Sequence, residues 1–458
     1  MATGYNQPGA KRQKVREPRV DNDHFQGIDK MEYNNMASLA DTSAYRYYSS
    51  SERVHSRPME DWLKYSVSYT QFRNNGYDSH GKPHHTWDDG SNTVDNYKRC
   101  IKAFFDFCTK LGVKYWTAFD TDLVPMTDSW EENRVSWDDI SEYVQDLMQR
   151  YHIKMLWLSP DLHSHPRYNS GAFTGHDATT YTQAATQIKK CLEMSQRLNA
   201  ECFLLWPYKE GYNAIFQSDV AREIKLFAKL LKMTAEYKDR LNYRCQLLIM
   251  PYYNCHFSRN NGWLWQHRNR RENELVNMYM WDVTSCLYFL KNNNLDRFYK
   301  VCTLPGHHMF MANVYNMLGG VVITSDVDQY DSKSFTLMMK CVLDQGAPPP
   351  GGVILKLRAR ECSPREMLAL HAKYVDAVAK ALRLASALAS EQTFSKHLQQ
   401  RYSTFYSGFG SRLVTSDVTM EECEDYYKRN HQSAQNDSSK YEQLDVMFQR
   451  FLDTCDHI

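Results

Sequence analysis

Lys356 ends the apolar run Val353-Ile354-Leu355-Lys356, which follows the turn Pro348-Pro349-Pro350-Gly351-Gly352. A short apolar run bounded by such a turn reads as a buried strand, and an ammonium at its carboxyl end can pair with carboxylates or take a cation's place. Trp206 ends a second run, Cys202-Phe203-Leu204-Leu205-Trp206. An indole at a strand end is a platform for a sugar ring and equally a core filler. His163, His165, His176, Cys255, His256, His307 and His308 could ligate metal, but none shows C-x-x-C or H-E-x-x-H spacing, so no structural zinc is expected. No P-loop or nucleophile elbow occurs. The stretch Trp263-Leu264-Trp265-Gln266-His267-Arg268-Asn269-Arg270-Arg271 interleaves aromatics with arginines. Such a loop could bind another protein or a nucleic acid strand, or could pack its tryptophans on a neighbouring subunit.

These residues need elements to hold them. Short β-rich runs alternate with helical patterns from Trp62 onward. Strands are predicted at Tyr65–Tyr69, Tyr115–Phe119, Met155–Leu158, Cys202–Trp206, Cys245–Met250, Tyr299–Leu304, Val321–Thr324 and in the Lys356 run. Helical spacing covers Val94–Leu111, with Asn92 as cap and Gly112 as stop. Further helices are predicted at Trp137–Tyr151, Tyr181–Leu198, Asp219–Asp239, Asp282–Leu290, Met309–Leu318 (ending at Gly319-Gly320), Ser334–Leu343 and Pro364–Leu388. Eight strand–helix units in series predict an α/β fold, a closed (β/α)8 barrel of the TIM type, with its chemistry at the carboxyl ends of the strands. An open doubly wound sheet is disfavoured because no Gly-rich phosphate turn follows the first strand.

Residues 1–25 read as a disordered polar and basic tail, 26–388 as the barrel with an N-terminal extension, and 389–458 as a mainly helical arm. The arm's apolar residues are too sparse for a core of its own, so it must pack on its barrel or on a neighbouring subunit. Net charge is +1, which offers no electrostatic case for nucleic acid. No apolar run is long enough to span a bilayer, the start has no signal-peptide core, and the twelve cysteines are scattered singly. Reduced thiols and a cytoplasmic protein are expected, nuclear if Lys11–Arg19 is an address.

Several short motifs resemble the longer-chain class of xylose isomerases, in order and with similar spacing from about His24 to Thr454. They are Asp120-x-Asp122-x-x-Pro125, Ser164-His165-Pro166-Arg167-Tyr168, Trp206 with Glu210-Gly211-Tyr212, Asp326-Val327-Asp328-Gln329-Tyr330, Pro350-Gly351-Gly352, Arg401-Tyr402, Tyr406-x-Gly408-x-Gly410 and Phe448-x-x-x-Leu452. The resemblance implies a barrel enzyme that interconverts an aldose and a ketose. A histidine would assist ring opening, two divalent cations would support a hydride shift, and a lysine would polarise the carbonyl.

Position by position, this chain departs from that pattern. Phe119 stands where the ring-opening histidine would be, and Asp122, that histidine's partner, is kept. Met250 replaces a metal-binding glutamate and Tyr252 the polarising lysine. Leu304, Val322 and Lys356 replace three further ligands. Thioether, alkyl and ammonium groups offer no oxygen to a hard cation. His307, Asp326 and Asp328 remain, and could hold a residual divalent metal; the competing reading is that Lys356 pairs with Asp326 or Asp328 in the lost cation's place.

The expectation from sequence is therefore a non-catalytic relative of xylose isomerases, not an enzyme, with no cofactor and a structural or assembly role. It would be a homodimer or homotetramer joined through the arm, with other proteins meeting the 259–274 loop and no membrane contact. The alternatives are a sugar- or polyol-binding pseudoenzyme stacking its ligand on Trp206, and a remodelled single-metal enzyme.

Overall fold

The computed structural model describes residues 23–74, 83–125, 127, 130–251, 277–325, 331–359, 363–430 and 439–455. Eight parallel strands close into a barrel in sequence order. They are β1 (Tyr65–Ser68), β2 (Tyr115–Phe119), β3 (Lys154–Ser159), β4 (Cys202–Leu205), β5 (Gln246–Ile249), β6 (Tyr299–Thr303), β7 (Leu318–Thr324) and β8 (Val353–Lys356). Val353 to Leu355 pair with Tyr65 to Val67, which closes the ring between β8 and β1.

Helices follow each strand, although those after β1 and β2 come after a further short helical turn. They are α1 (Val94–Leu111), α2 (Trp130–Tyr151), α3 (Ala178–Arg197), α4 (Val220–Arg240), α5 (Val283–Asn292), α6 (His307–Val314), α7 (Ser332–Asp344) and α8 (Pro364–Ser390). Their starts are set by local chemistry. Asp177, Asp219, Asp282 and Asp331 each accept a backbone N–H of the first turn, and Ser363 does so ahead of Pro364. Thr93, not Asn92, caps α1, because its hydroxyl accepts from the Asn96 N–H. Gly112 ends that helix in the left-handed region as expected.

Two predicted boundaries are corrected. Tyr69 leaves the first strand and opens a short helix, Tyr69–Asn74. Gly319 and Gly320 belong to β7 and do not terminate a helix; α6 stops at Val314. Close packing explains the second case. A Cβ on Gly319 would lie 2.7 Å from Leu248 Cδ2, and one on Gly320 would lie 3.0 Å from Cys302 Sγ. Only glycine lets β7 lie this close to its neighbours inside the ring.

Strand pleating divides the side chains into two sets. Tyr65, Val67, Trp116, Ala118, Leu158, Phe203, Leu205, Leu247, Ile249, Val301, Val321, Ile323, Val353 and Leu355 belong to the large cluster between barrel and helices. Leu156, Trp157, Cys202, Leu204, Leu248, Cys302, Val322 and Ile354 form a separate cluster inside the ring. Counting two residues on from Trp157, Leu204, Leu248, Cys302, Val322 and Ile354 puts Ser159, Trp206, Met250, Leu304, Thr324 and Lys356 in the layer at the carboxyl-terminal mouth, where Phe119 stacks on Trp206.

At the N-terminal side, Phe25 is buried against Trp87 and Phe107, and His24 Nδ1 lies 2.8 Å from Asp106 Oδ2. The C-terminal region is helical: α9 (Gln392–Arg401), α10 (Gly408–Thr415), α11 (Met420–Arg429) and α12 (Tyr441–Thr454). Phe448 and Leu452 of α12 pack on Leu384 and Leu388 of α8, a small apolar contact that fastens the arm to its own barrel.

Candidate active site at the barrel mouth

Lys356 reaches from β8 across the mouth to the end of β4, on the opposite side of the ring. Its Nζ lies 4.5 Å from the centroid of the Trp206 indole. Trp206 packs on three other rings: Phe119 (6.0 Å between centroids), His163 (4.8 Å, edge-on) and Tyr208 (4.8 Å). The indole is half-buried among them. Its Nε1 is buried and finds no protein acceptor among the described residues, and Thr324 Oγ1 is likewise unpartnered. Deeper in the ring, Ser66 Oγ, Thr117 Oγ1 and Trp157 Nε1 share this condition. Buried polar atoms without protein partners are the places where water or a ligand's hydroxyl groups bind.

His163 sits on the loop after β3. Its Nδ1 lies 3.0 Å from Asp161 Oδ1, within ion-pair distance but out of line for a hydrogen bond. Burial pushes the imidazole below its usual range, and Lys356 and Lys209 act in the same direction while Asp161 opposes them. Asp161 is lowered as well, for a different reason. Burial disfavours its charge, but His163 and the N–H groups of His163 and Ser164 outweigh that and hold it low.

Asp120 and Asp122 stand at the end of β2. Asp120 accepts from the N–H groups of Thr121 and Asp161 and from Gln187 Nε2. Burial raises it to about 7 against the pull of those bonds. Asp122 accepts from Thr70 Oγ1 at 2.5 Å and from the Phe119 N–H at 3.0 Å, and burial lifts it to about 6. With no histidine at 119 to orient, Asp122 ties the helix after β1 to the turn after β2. Glu210 is a third buried carboxylate. It accepts from the N–H groups of Ala172, Phe173 and Thr174 and from Thr174 Oγ1, so it shapes the loop that follows β3.

The positions that the family resemblance assigns to metal ligands do not fit a pair of divalent cations. Val322 is in the inner apolar cluster, and Met250 and Leu304 pack against it. No oxygen is offered by these three or by Lys356. His307 is exposed at the first turn of α6, with His308 beside it at 6.0 Å. Asp326, Asp328 and Tyr252 lie outside the described residues, as do the 259–274 loop and the Lys11–Arg19 stretch. The pairing of Lys356 with Asp326 or Asp328 therefore falls outside them too. Among the described residues, no three of His, Cys, Asp or Glu gather as a metal site. No described helix is long and apolar enough to cross a membrane.

Sequence reading had placed His163 only among scattered zinc candidates. Its partnership with Trp206 and Lys356 has no spacing signature, since three separate strand ends supply the residues. The one available signal was that each follows or ends an apolar run.

A closed parallel (β/α)8 barrel with its polar groups at the carboxyl-terminal mouth and a helical arm defines the class of protein. Residues 398–452 match the model of the XylA2 C-terminal domain. Xylose isomerase from Thermotoga maritima is 27% identical over 452 residues, covering 93% of this chain and 97% of its own. The Arabidopsis thaliana xylose isomerase is 28% identical over 451 residues, covering 93% and 90%. An L-ribulose 3-epimerase structure has a TM-score of 0.48 at 10% identity, covering 72% of this chain and 98% of its own. Over nearly its whole length the chain is similar to proteins named as xylose isomerases, and its C-terminal region matches a domain model of that name. These relatives correct one expectation. A chain that aligns over nearly its whole length with proteins named as isomerases points to an enzyme, and the prediction of a non-catalytic protein is withdrawn.

Proposed function

We propose that the protein is a sugar isomerase or epimerase that takes a small monosaccharide at the carboxyl-terminal mouth of its barrel. The observation that carries this reading is the pair of buried donors at Trp206 and Thr324. Its unpartnered Nε1 and the unpartnered Thr324 hydroxyl lie in the mouth layer with the Lys356 ammonium, a set of groups suited to sugar oxygens. The names of the relatives support a sugar as the ligand class. Pentoses, hexoses and their polyols, each added at 10–100 times a millimolar-range Kd, should raise the melting temperature, because saturation at about 100 Kd adds roughly 2.7 kcal/mol. Product analysis by NMR would then identify the reaction. Absence of any shift across the panel would refute the reading.

A second proposal concerns partners. We infer that the arm also contacts another copy of the chain. Large apolar side chains stay exposed along it, among them Tyr406 at 65%, Val414 at 68%, Met420 at 84% and Tyr427 at 60%. Such a density of exposed apolar groups marks an interaction surface. Val414→Asp with Tyr427→Asp should shift the sedimentation coefficient towards monomer while the barrel's circular dichroism stays unchanged. An unaltered coefficient would remove the arm from the interface.

A further inference from the structure

We propose that His163 and Lys356, both against Trp206, are the base and the electrophile of a metal-independent proton-transfer isomerisation of an open-chain aldose. This rests on the reading of the mouth as a sugar site and adds the residues and reaction type.

Three placements lead to it. First, the imidazole missing at Phe119 is present beside it: the His163 ring lies 5.4 Å from the Phe119 ring, edge-on, and 4.8 Å from Trp206. Second, the ammonium of Lys356 lies 4.5 Å from the same indole, so a cation stands in the mouth at a strand end where the family pattern has a metal ligand. Third, three more positions that the resemblance gives to ligands are apolar, with Met250 and Leu304 packed on the cluster that contains Val322. Isomerisation by hydride shift depends on cations held by oxygen ligands, and those side chains cannot supply them. Proton transfer requires only a neutral base and a group that stabilises an oxyanion.

The base is formed locally. Asp161 Oδ1 lies 3.0 Å from Nδ1, and a neutral imidazole keeps one unprotonated nitrogen that can accept a proton. Burial and the neighbouring Lys356 and Lys209 keep the ring neutral at physiological pH. In the forward direction His163 removes the proton on C2 of the aldose. The C–H electron pair becomes the C1=C2 bond, and the carbonyl π pair moves onto O1, whose charge faces Lys356. The proton of the C2 hydroxyl passes to O1 as the C2 carbonyl forms, and His163 returns its proton to C1. Atoms and electrons balance with no oxidant or reductant.

The test uses the full chain, EDTA-treated, with each aldopentose and aldohexose in D2O, followed by NMR and mass spectrometry. The expected result is isomerisation that survives chelation and incorporates solvent deuterium at the carbon that receives the proton. His163→Asn should lower kcat at least 100-fold with sugar-induced stabilisation retained, and Lys356→Met should lower kcat 100- to 1000-fold. Lys356→Arg, which keeps the charge, should recover part of the loss. Product free of solvent deuterium, activity lost with EDTA and restored by divalent metal, or variants within twofold of the parent would each overturn the proposal. Sugar binding without turnover overturns it while leaving the sugar site standing; failure of every sugar to bind removes both.

Discussion

Lys356 of β8 places its ammonium over the indole of Trp206 at the end of β4, so one side chain spans the mouth of the barrel between opposite strands. A cation over tryptophan contributes about 0.5–2 kcal/mol, more as water is excluded. A double-mutant cycle with Lys356→Met and Trp206→Leu should therefore show a coupling of that size in urea unfolding. Coupling indistinguishable from zero would mean that the two groups are neighbours without interaction.

Glu210 should be the most costly carboxylate to remove. Truncation to Ala strips acceptors from three buried N–H groups and one hydroxyl, in a residue only 1% exposed. Buried donors left unpaired cost about 1–3 kcal/mol each, so Glu210→Ala should lose at least about 3 kcal/mol. Glu210→Gln, which keeps one acceptor oxygen, should lose less. Equal stabilities of the two variants in denaturant melts would contradict this account.

Gly352 is held at φ +60°, where a Cβ would overlap the carbonyl oxygen of Lys64 at the amino-terminal side of the barrel. The preceding Gly351 N–H donates to Gly319 O at 2.7 Å, fixing the turn that leads into β8. Gly352→Ala combines left-handed strain with a backbone clash and should cost about 2 kcal/mol or more. A melting temperature unchanged within a degree would show that the turn can move.

His371 lies fully buried in α8, its ring edge-on to Phe107 at 5.1 Å and its Nδ1 2.7 Å from the Met367 carbonyl oxygen. Burial lowers it to about 4, while the unfolded chain titrates near 6.5. Between these values the unfolded state binds the extra proton, so His371 weakens folding as pH falls, by about 1.4 kcal/mol per unit. His371→Gln should flatten that part of the profile between pH 6.5 and 4. Comparing the two proteins isolates this residue from Asp120 and Asp122, whose raised values change stability in the opposite sense over an overlapping range. Parallel curves for parent and variant would sink the assignment.

Much of the barrel was legible in the chain. Period-2 and near-continuous apolar runs located all eight strands, because a parallel strand covered by helices must be apolar on both faces. Gly319 and Gly320 were misread for a physical reason: glycine after a helical pattern usually marks a stop, and only the approach of Leu248 and Cys302 makes it a strand requirement. The caps were partly legible, since Thr93 and Asn92 are both good N-caps and the choice depends on which hydroxyl or amide meets the Asn96 N–H.

Residue types alone determined that Met250, Leu304, Val322 and Lys356, the positions the resemblance would give to metal ligands, offer no side-chain oxygen, because a side chain's donor atoms do not depend on where it lies. They also determined that an ammonium stands at the end of β8. Where that ammonium points was decided only by the tertiary structure. Closing the ring carries Lys356 from its own strand to Trp206 and brings His163 beside Phe119, joining residues from four strand ends that no local spacing relates. Contacts between residues so distant in the chain are fixed by barrel closure and register, and they give the mouth its chemistry.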